Sequence, residues 1–81
     1  MKEQEIIDLG FVKECVSEEE SGANAFYYYY YKIGNIGFIS NCNDTVSNGS
    51  WNIEILEGGI MFHDIIELEI VINLFIKNKI P

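Results

Sequence analysis

Arginine is missing from this chain, and that gap excludes more than any motif does. All five cations are lysines (Lys2, Lys13, Lys32, Lys77 and Lys79), set against thirteen carboxylates for a formal charge of −8. Nucleic-acid binders displace counterions from phosphates with cations, and Arg is the preferred bidentate reader of phosphate and guanine. No direct nucleic-acid binding is therefore expected. The charge suits the converse partner, a protein with a basic surface. It equally suits a small acidic protein with no partner at all.

Long apolar runs are lacking too. Nothing reaches the roughly 18 residues of a membrane span, and MKEQEIIDLGF carries no signal-peptide core, so a cytoplasmic protein is expected. Cysteine is scarce: Cys15 and Cys42 stand far apart without metal-type spacing, as reduced thiols would. The N-x-S/T sequons at Asn43 and Asn48 are then accidental. With His63 as the one histidine, the chain offers at most three soft ligands and no pre-organised pair, so neither metal nor cofactor is expected. The oxygen-rich NDTVSNGS stretch lacks the carboxylates and closing Glu of a calcium loop. Gly34, Gly37 and Gly58-Gly59 belong to turns and strand contacts, and no phosphate-cradling loop opens a helix. His63-Asp64 with either cysteine invites a thiol-triad reading. Adjacent His and Asp rarely face each other, however, and Asp64 has a role as helix cap.

What is present is a core. Hydrophobic residues make up 48% of 81 residues and aromatic residues 14%, enough for one small domain spanning 1–81. Its most telling stretch is FYYYYYKIGNIGFI, from Phe26 to Ile39. Gly34-Asn35 between two aromatic and β-branched runs specifies a two-residue hairpin. Ile33 then pairs with Ile36, Tyr31 with Phe38, Tyr29 with Ser40 and Tyr27 with Cys42. These share one face; Phe26, Tyr28, Tyr30 and Ile39 share the other. Tyr27, Tyr29 and Tyr31 with Phe38 are the expected core-facing set, although the alternation alone permits the reverse.

Around the hairpin, Lys2 to Leu9 reads as a short helix ended by Gly10, with Ile6 and Leu9 buried. Phe11 to Val16 reads as a strand and SEEESGAN, Ser17 to Asn24, as a polar loop. Trp51 to Ile55 and Ile60 to His63 read as further strands. Asp64 with Glu67 forms a capping box opening a helix from Ile65 to about Asn78 that ends in lysines. Its core face is Ile65, Leu68, Val71, Ile72, Phe75 and Ile76. A second stripe, Ile66, Ile70 and Leu74, lies on the far side as a candidate oligomer interface. The whole predicts an α+β fold: one antiparallel meander of about five strands, the C-terminal helix on one face and a short N-terminal helix.

The DLGF opening, the FYYYYYKIGNIGFISN hairpin and the capped C-terminal helix sit in a small, acidic chain. Its many Ile, Asn, Lys and Tyr residues suggest an AT-rich coding sequence. In general character it resembles the small orphan proteins encoded by phages and prophages, of which anti-defence proteins such as anti-CRISPRs are the best-known class. The resemblance implies a non-enzymatic inhibitor, in the cytoplasm of a bacterial host, that occupies a basic surface of an RNA-guided nuclease. The contact residues expected are Glu18, Glu19, Glu20, Asp44, Glu54 and Glu57, beside exposed Tyr28 and Tyr30. Two rival classes stand beside it: a homo-oligomer joined through Ile66, Ile70 and Leu74, and a small thiol-dependent enzyme.

Overall fold

The computed structural model describes residues 1–78. Five antiparallel strands form one meander in chain order: β1 (Val12–Val16), β2 (Phe26–Ile33), β3 (Ile36–Ser40), β4 (Ile53–Ile55) and β5 (Met61–Phe62). Three helices join them: α1 (Glu3–Asp8), α2 (Glu18–Ser21) and α3 (Ile65–Lys77). The α+β architecture is the one the residue pattern predicts. Among the described residues, no helix is long and apolar enough to cross a membrane.

The hairpin forms where the sequence places it. Gly34 takes a φ of +58° as the first central turn residue, while Asn35 keeps a negative φ, the arrangement of a type II′ turn that suits twisted strands. Ile33 pairs with Ile36 and Tyr31 with Phe38, and the ladder continues to Tyr30–Ile39. Beyond that point β3 veers off and side chains replace its backbone. Tyr29 N–H donates to Ser40 Oγ at 2.8 Å and Tyr27 N–H to Asn43 Oδ1 at 2.7 Å, so Tyr27 does not pair with Cys42.

The core is a single layer. Tyr29, Ile33, Phe38, Ile53, Ile55 and Phe62 from the sheet meet Ile6 of α1 and Leu68 and Ile72 of α3. Phe38, Ile6, Ile53 and Leu68 are fully buried, and the Phe38 and Phe75 rings stand 5.9 Å apart. Parity along β2 thus resolves as expected: Tyr27, Tyr29 and Tyr31 face inward. Trp51 joins them, its ring 5.4 Å from Tyr29 and 6.0 Å from Tyr27. Such aromatic neighbours bury large areas and hold defined relative angles.

Three local expectations are corrected. SEEES is a helical turn, because Ser17 and Glu20 form a reciprocal capping box and Gly22 closes the turn at φ +74°. Asp64 caps α3 by accepting from Ile66 N–H at 2.9 Å, without the return bond expected of Glu67. Ile76 is half exposed, on the flank of α3 where the sheet no longer reaches, whereas Leu68 and Ile72 are buried as expected. Lys77 sits in the last turn of α3; Lys79, the other lysine expected there, lies outside the described residues.

Candidate interaction face

Both α1 and α3 pack on the same side of the sheet, and among the described residues nothing covers the other side. The register determines what that side shows. Directly opposed residues share a face, so Val12–Tyr30, Tyr30–Ile39, Ile39–Glu54 and Glu54–Met61 form one continuous row across all five strands. A neighbouring pair, Glu14–Tyr28, extends it toward the β1 edge. Val12, Met61 and Leu56 are about half exposed, while Phe26, Tyr28, Tyr30 and Ile39 are half-buried. The result is an aromatic and aliphatic platform with carboxylates set into it.

Gly37 shapes its middle. A Cβ there would stand 3.0 Å from Leu56 Cδ1, 3.2 Å from the Tyr30 hydroxyl and 3.4 Å from Tyr30 Cε1. The missing side chain is thus what lets the Tyr30 ring settle over the β3 backbone, a glycine covered by its cross-strand aromatic neighbour. Glu57 reaches the same point, its Oε2 accepting from Gly37 N–H at 3.3 Å. Glu54 stands in the row beside Ile39, half-buried, with its carboxylate near Gly59.

The eight residues expected at the contact fall into two groups. Tyr28, Tyr30, Glu54 and Glu57 lie on the open face or at its rim. Glu18, Glu19, Glu20 and Asp44 lie at the end of the sheet where β2 begins: α2 follows Val16, the partner of Phe26, and Asp44 follows Asn43, which bonds Tyr27. Glu20 is engaged by Ser17, whose N–H and hydroxyl donate to its Oε1 at 3.3 and 3.1 Å; Glu18 and Glu19 are exposed. Val12, Glu14, Leu56 and Met61 also belong to the face; no short turn between β1 and β2 lets the sequence set the register that places Val12 and Glu14, and Met61 joins the row only through its pairing with Glu54. On α3, Ile66, Ile70 and Leu74 are 67%, 56% and 53% exposed, a stripe along the side away from the sheet.

The covered side carries the perturbed groups. Tyr29, almost wholly buried, donates its phenol proton to Glu3 Oε2 at 2.5 Å. Burial first, then that carboxylate, raises its pKa far above the usual 10.0. Tyr27 is raised for the same reasons, and Lys13 Nζ lies 3.9 Å above its ring. Burial, then Asp44, raises the Cys42 thiol.

The thiol-triad geometry does not assemble around Cys15. It lies on β1 and His63 follows β5, so four strand spacings of about 4.8 Å separate them. Among the described residues, no group of three or more His, Cys, Asp or Glu side chains could hold a metal ion. A groove of about 440 Å³ between α1 and α3 is lined by Glu5, Asp8 and Glu69 over Leu9 and Ile65. Two of those carboxylates are already engaged: Glu5 accepts from Lys2 N–H at 2.7 Å and Asp8 from Gln4 at 2.8 Å. Compared with protein-family models, curated proteins and solved structures, the chain matches none.

Proposed function

We propose that this chain is a non-enzymatic protein-binding module that docks on a basic surface of a nucleic-acid-handling protein in the bacterial cytoplasm. One observation carries the reading: an uncovered aromatic sheet face on a strongly acidic, arginine-free chain. Tyrosines at a half-buried face supply rigid contact area, and Tyr is enriched at binding hot spots. The surrounding carboxylates steer a cationic partner and repel phosphates. The general resemblance to phage anti-defence proteins makes an RNA-guided nuclease the first partner to try, with the inhibitor covering the cationic channel that holds nucleic acid.

The test is association with purified RNA-guided nucleases, with and without guide RNA, measured across ionic strength. Binding that weakens steeply between 50 and 500 mM salt (roughly the range over which exposed charges become screened) supports the reading. Reversing Glu18, Glu19 and Glu20 to lysine measures the share of the sheet-end group. Tight, salt-sensitive binding of the chain to bare oligonucleotides instead would refute it.

A second reading rests on the α3 stripe. If Ile66, Ile70 and Leu74 join two copies, light scattering reports twice the monomer mass, and replacing all three by Gln returns the monomer. A monomeric natural sequence removes that reading.

A further inference from the structure

We infer that the outer edge of β1 takes up an extended segment of the protein partner as an added antiparallel strand. This deepens the proposed function and rests on it, naming how the partner docks. β1 is the end strand of the sheet and is exposed from Val12 to Cys15. Hydrogen-bond direction alternates along a strand. On β2 the N–H groups of Tyr27 and Tyr29 point toward β3, where Asn43 and Ser40 accept them. Those of Phe26, Tyr28 and Tyr30 therefore point to β1, and their partners Val16, Glu14 and Val12 bond back to β2. Lys13 and Cys15 are left with N–H and C=O directed outward. The next residues in that alternation have their donors satisfied: Phe11 N–H donates to Ile6 O at 3.4 Å and Ser17 N–H to Glu20 Oε1 at 3.3 Å. The open stretch is thus bounded by the end of α1 on one side and the start of α2 on the other.

Unpaired backbone donors and acceptors at this spacing match a peptide backbone, and strand addition is how a sheet edge recognises one. The chain's own β1 is a poor occupant. Antiparallel copies use both Lys13 and Cys15 in one register only, Lys13 against Cys15, which sets Glu14 directly opposite its own image. A shift by two residues brings Lys13 against Lys13, or leaves Lys13 facing Ser17, whose N–H is taken. A basic partner removes the conflict by placing a cation opposite Glu14. That cation lies on the open face, where Glu14 pairs with Tyr28, so the added strand continues the surface proposed for the partner. The residue opposite Cys15 points to the other side of the sheet. Lys13, Cys15 and Tyr27 of that side, with Val16 and Ala25, line a cavity of about 320 Å³ that gives an apolar side chain room.

The experiment uses the full chain, isotope-labelled. Before any addition, the amides of Lys13 and Cys15 exchange with solvent faster than those of Val12, Glu14 and Val16. The probe is the acetylated and amidated pentapeptide Thr-Leu-Lys-Val-Thr, which sets Leu against Cys15, Lys against Glu14 and Val against Lys13. Amide shifts centred on Lys13 to Cys15, with new exchange protection at Lys13 and Cys15, support strand addition. N-methylating the Leu and Val of the peptide, which removes its two donors and keeps its side chains, abolishes both. Replacing the peptide's Lys by Glu weakens binding about fivefold, and Glu14→Lys in the chain restores the Glu peptide, as a cross-strand charge pair requires. Shifts centred on Tyr30 and Ile39 or on the α1–α3 groove overturn the assignment. So do equal binding of the N-methylated peptide and an absence of shifts up to the peptide's solubility. Protection of Lys13 and Cys15 that rises with protein concentration in the free chain overturns it in favour of a second copy. Cys15→Pro deletes one outward donor, leaves the bonds to β2 and lowers peptide affinity about fivefold, while Trp51 fluorescence reports the fold. If a basic protein partner binds the natural chain and Cys15→Pro alike, the edge assignment is wrong and the binding-module reading stands. If the peptide adds to β1 but no basic protein binds, that reading falls alone.

Discussion

Removing one hydroxyl, by Tyr29→Phe, tests how α1 is held to the sheet. The ring stays, with its packing on Tyr27 and Trp51; only the proton donated to Glu3 Oε2 is lost. A hydrogen bond to a charged group contributes about 1.5–3 kcal/mol net. Glu3 is half exposed and regains water when its donor leaves, so the lower end applies, about 1.5 kcal/mol. In a domain this size that corresponds to a melting-temperature loss of roughly 6–12 °C. The bond also carries a pH signature. The folded-state pKa of Tyr29 lies above the unfolded value of 10.0, so the native state holds the proton more tightly. Its stabilisation is present in full below pH 10 and declines above it, by up to about 1.4 kcal/mol per pH unit. Tyr27, raised in the same direction, remains in the variant, so the difference between the two proteins isolates Tyr29. Urea unfolding followed by Trp51 fluorescence from pH 8 to 11 measures both effects. A Tyr29→Phe variant within 0.5 kcal/mol of the natural chain (about the scatter of a neutral surface substitution), with an unchanged alkaline slope, would refute the reasoning.

Other expectations follow from the same geometry. Ser40→Ala removes the buried oxygen that accepts Tyr29 N–H and should destabilise by about 1–3 kcal/mol in the same urea assay. Asp64→Ala leaves the Ile66 N–H uncapped and should lower stability by about 1 kcal/mol, visible as an earlier loss of helical circular dichroism. At pH 8 a thiol-specific chromogenic reagent should modify exposed Cys15 first and half-buried Cys42 about tenfold more slowly, because burial and Asp44 disfavour the thiolate. Asp44→Asn should speed Cys42 alone, and equal rates at both thiols would contradict the assignment.

Several features were legible because they depend on neighbours in sequence. The Gly34-Asn35 turn sets the hairpin register, and alternation from it separates Tyr27, Tyr29 and Tyr31 from Tyr28 and Tyr30. Asp64 marks the start of α3, and the 3.6-residue period places Leu68 and Ile72 on its buried side. Other local signals were present and passed over. Ser17-x-x-Glu20 is a capping pattern inside what reads as a loop. Asn48-Gly49, both at positive φ, closes a small Ser47–Ser50 bridge within the oxygen-rich NDTVSNGS stretch. The expected face of α3 was one residue too wide at Ile76, since periodicity cannot say where the supporting sheet stops.

The amino-acid order alone determined the α+β class, the central hairpin, the capped last helix and the acidic, arginine-free character, since turn chemistry, periodicity and charge are local or additive properties. Only the tertiary arrangement decided that α1 and α3 lie on one side and leave the other bare. It alone aligned Val12, Tyr30, Ile39, Glu54 and Met61 in one row, set Tyr30 over Gly37, and joined Glu3 to Tyr29 across 26 residues. Each of these is a contact between strands or helices distant in the chain. Its geometry follows from the register and packing of the whole sheet, which no short window of residues specifies.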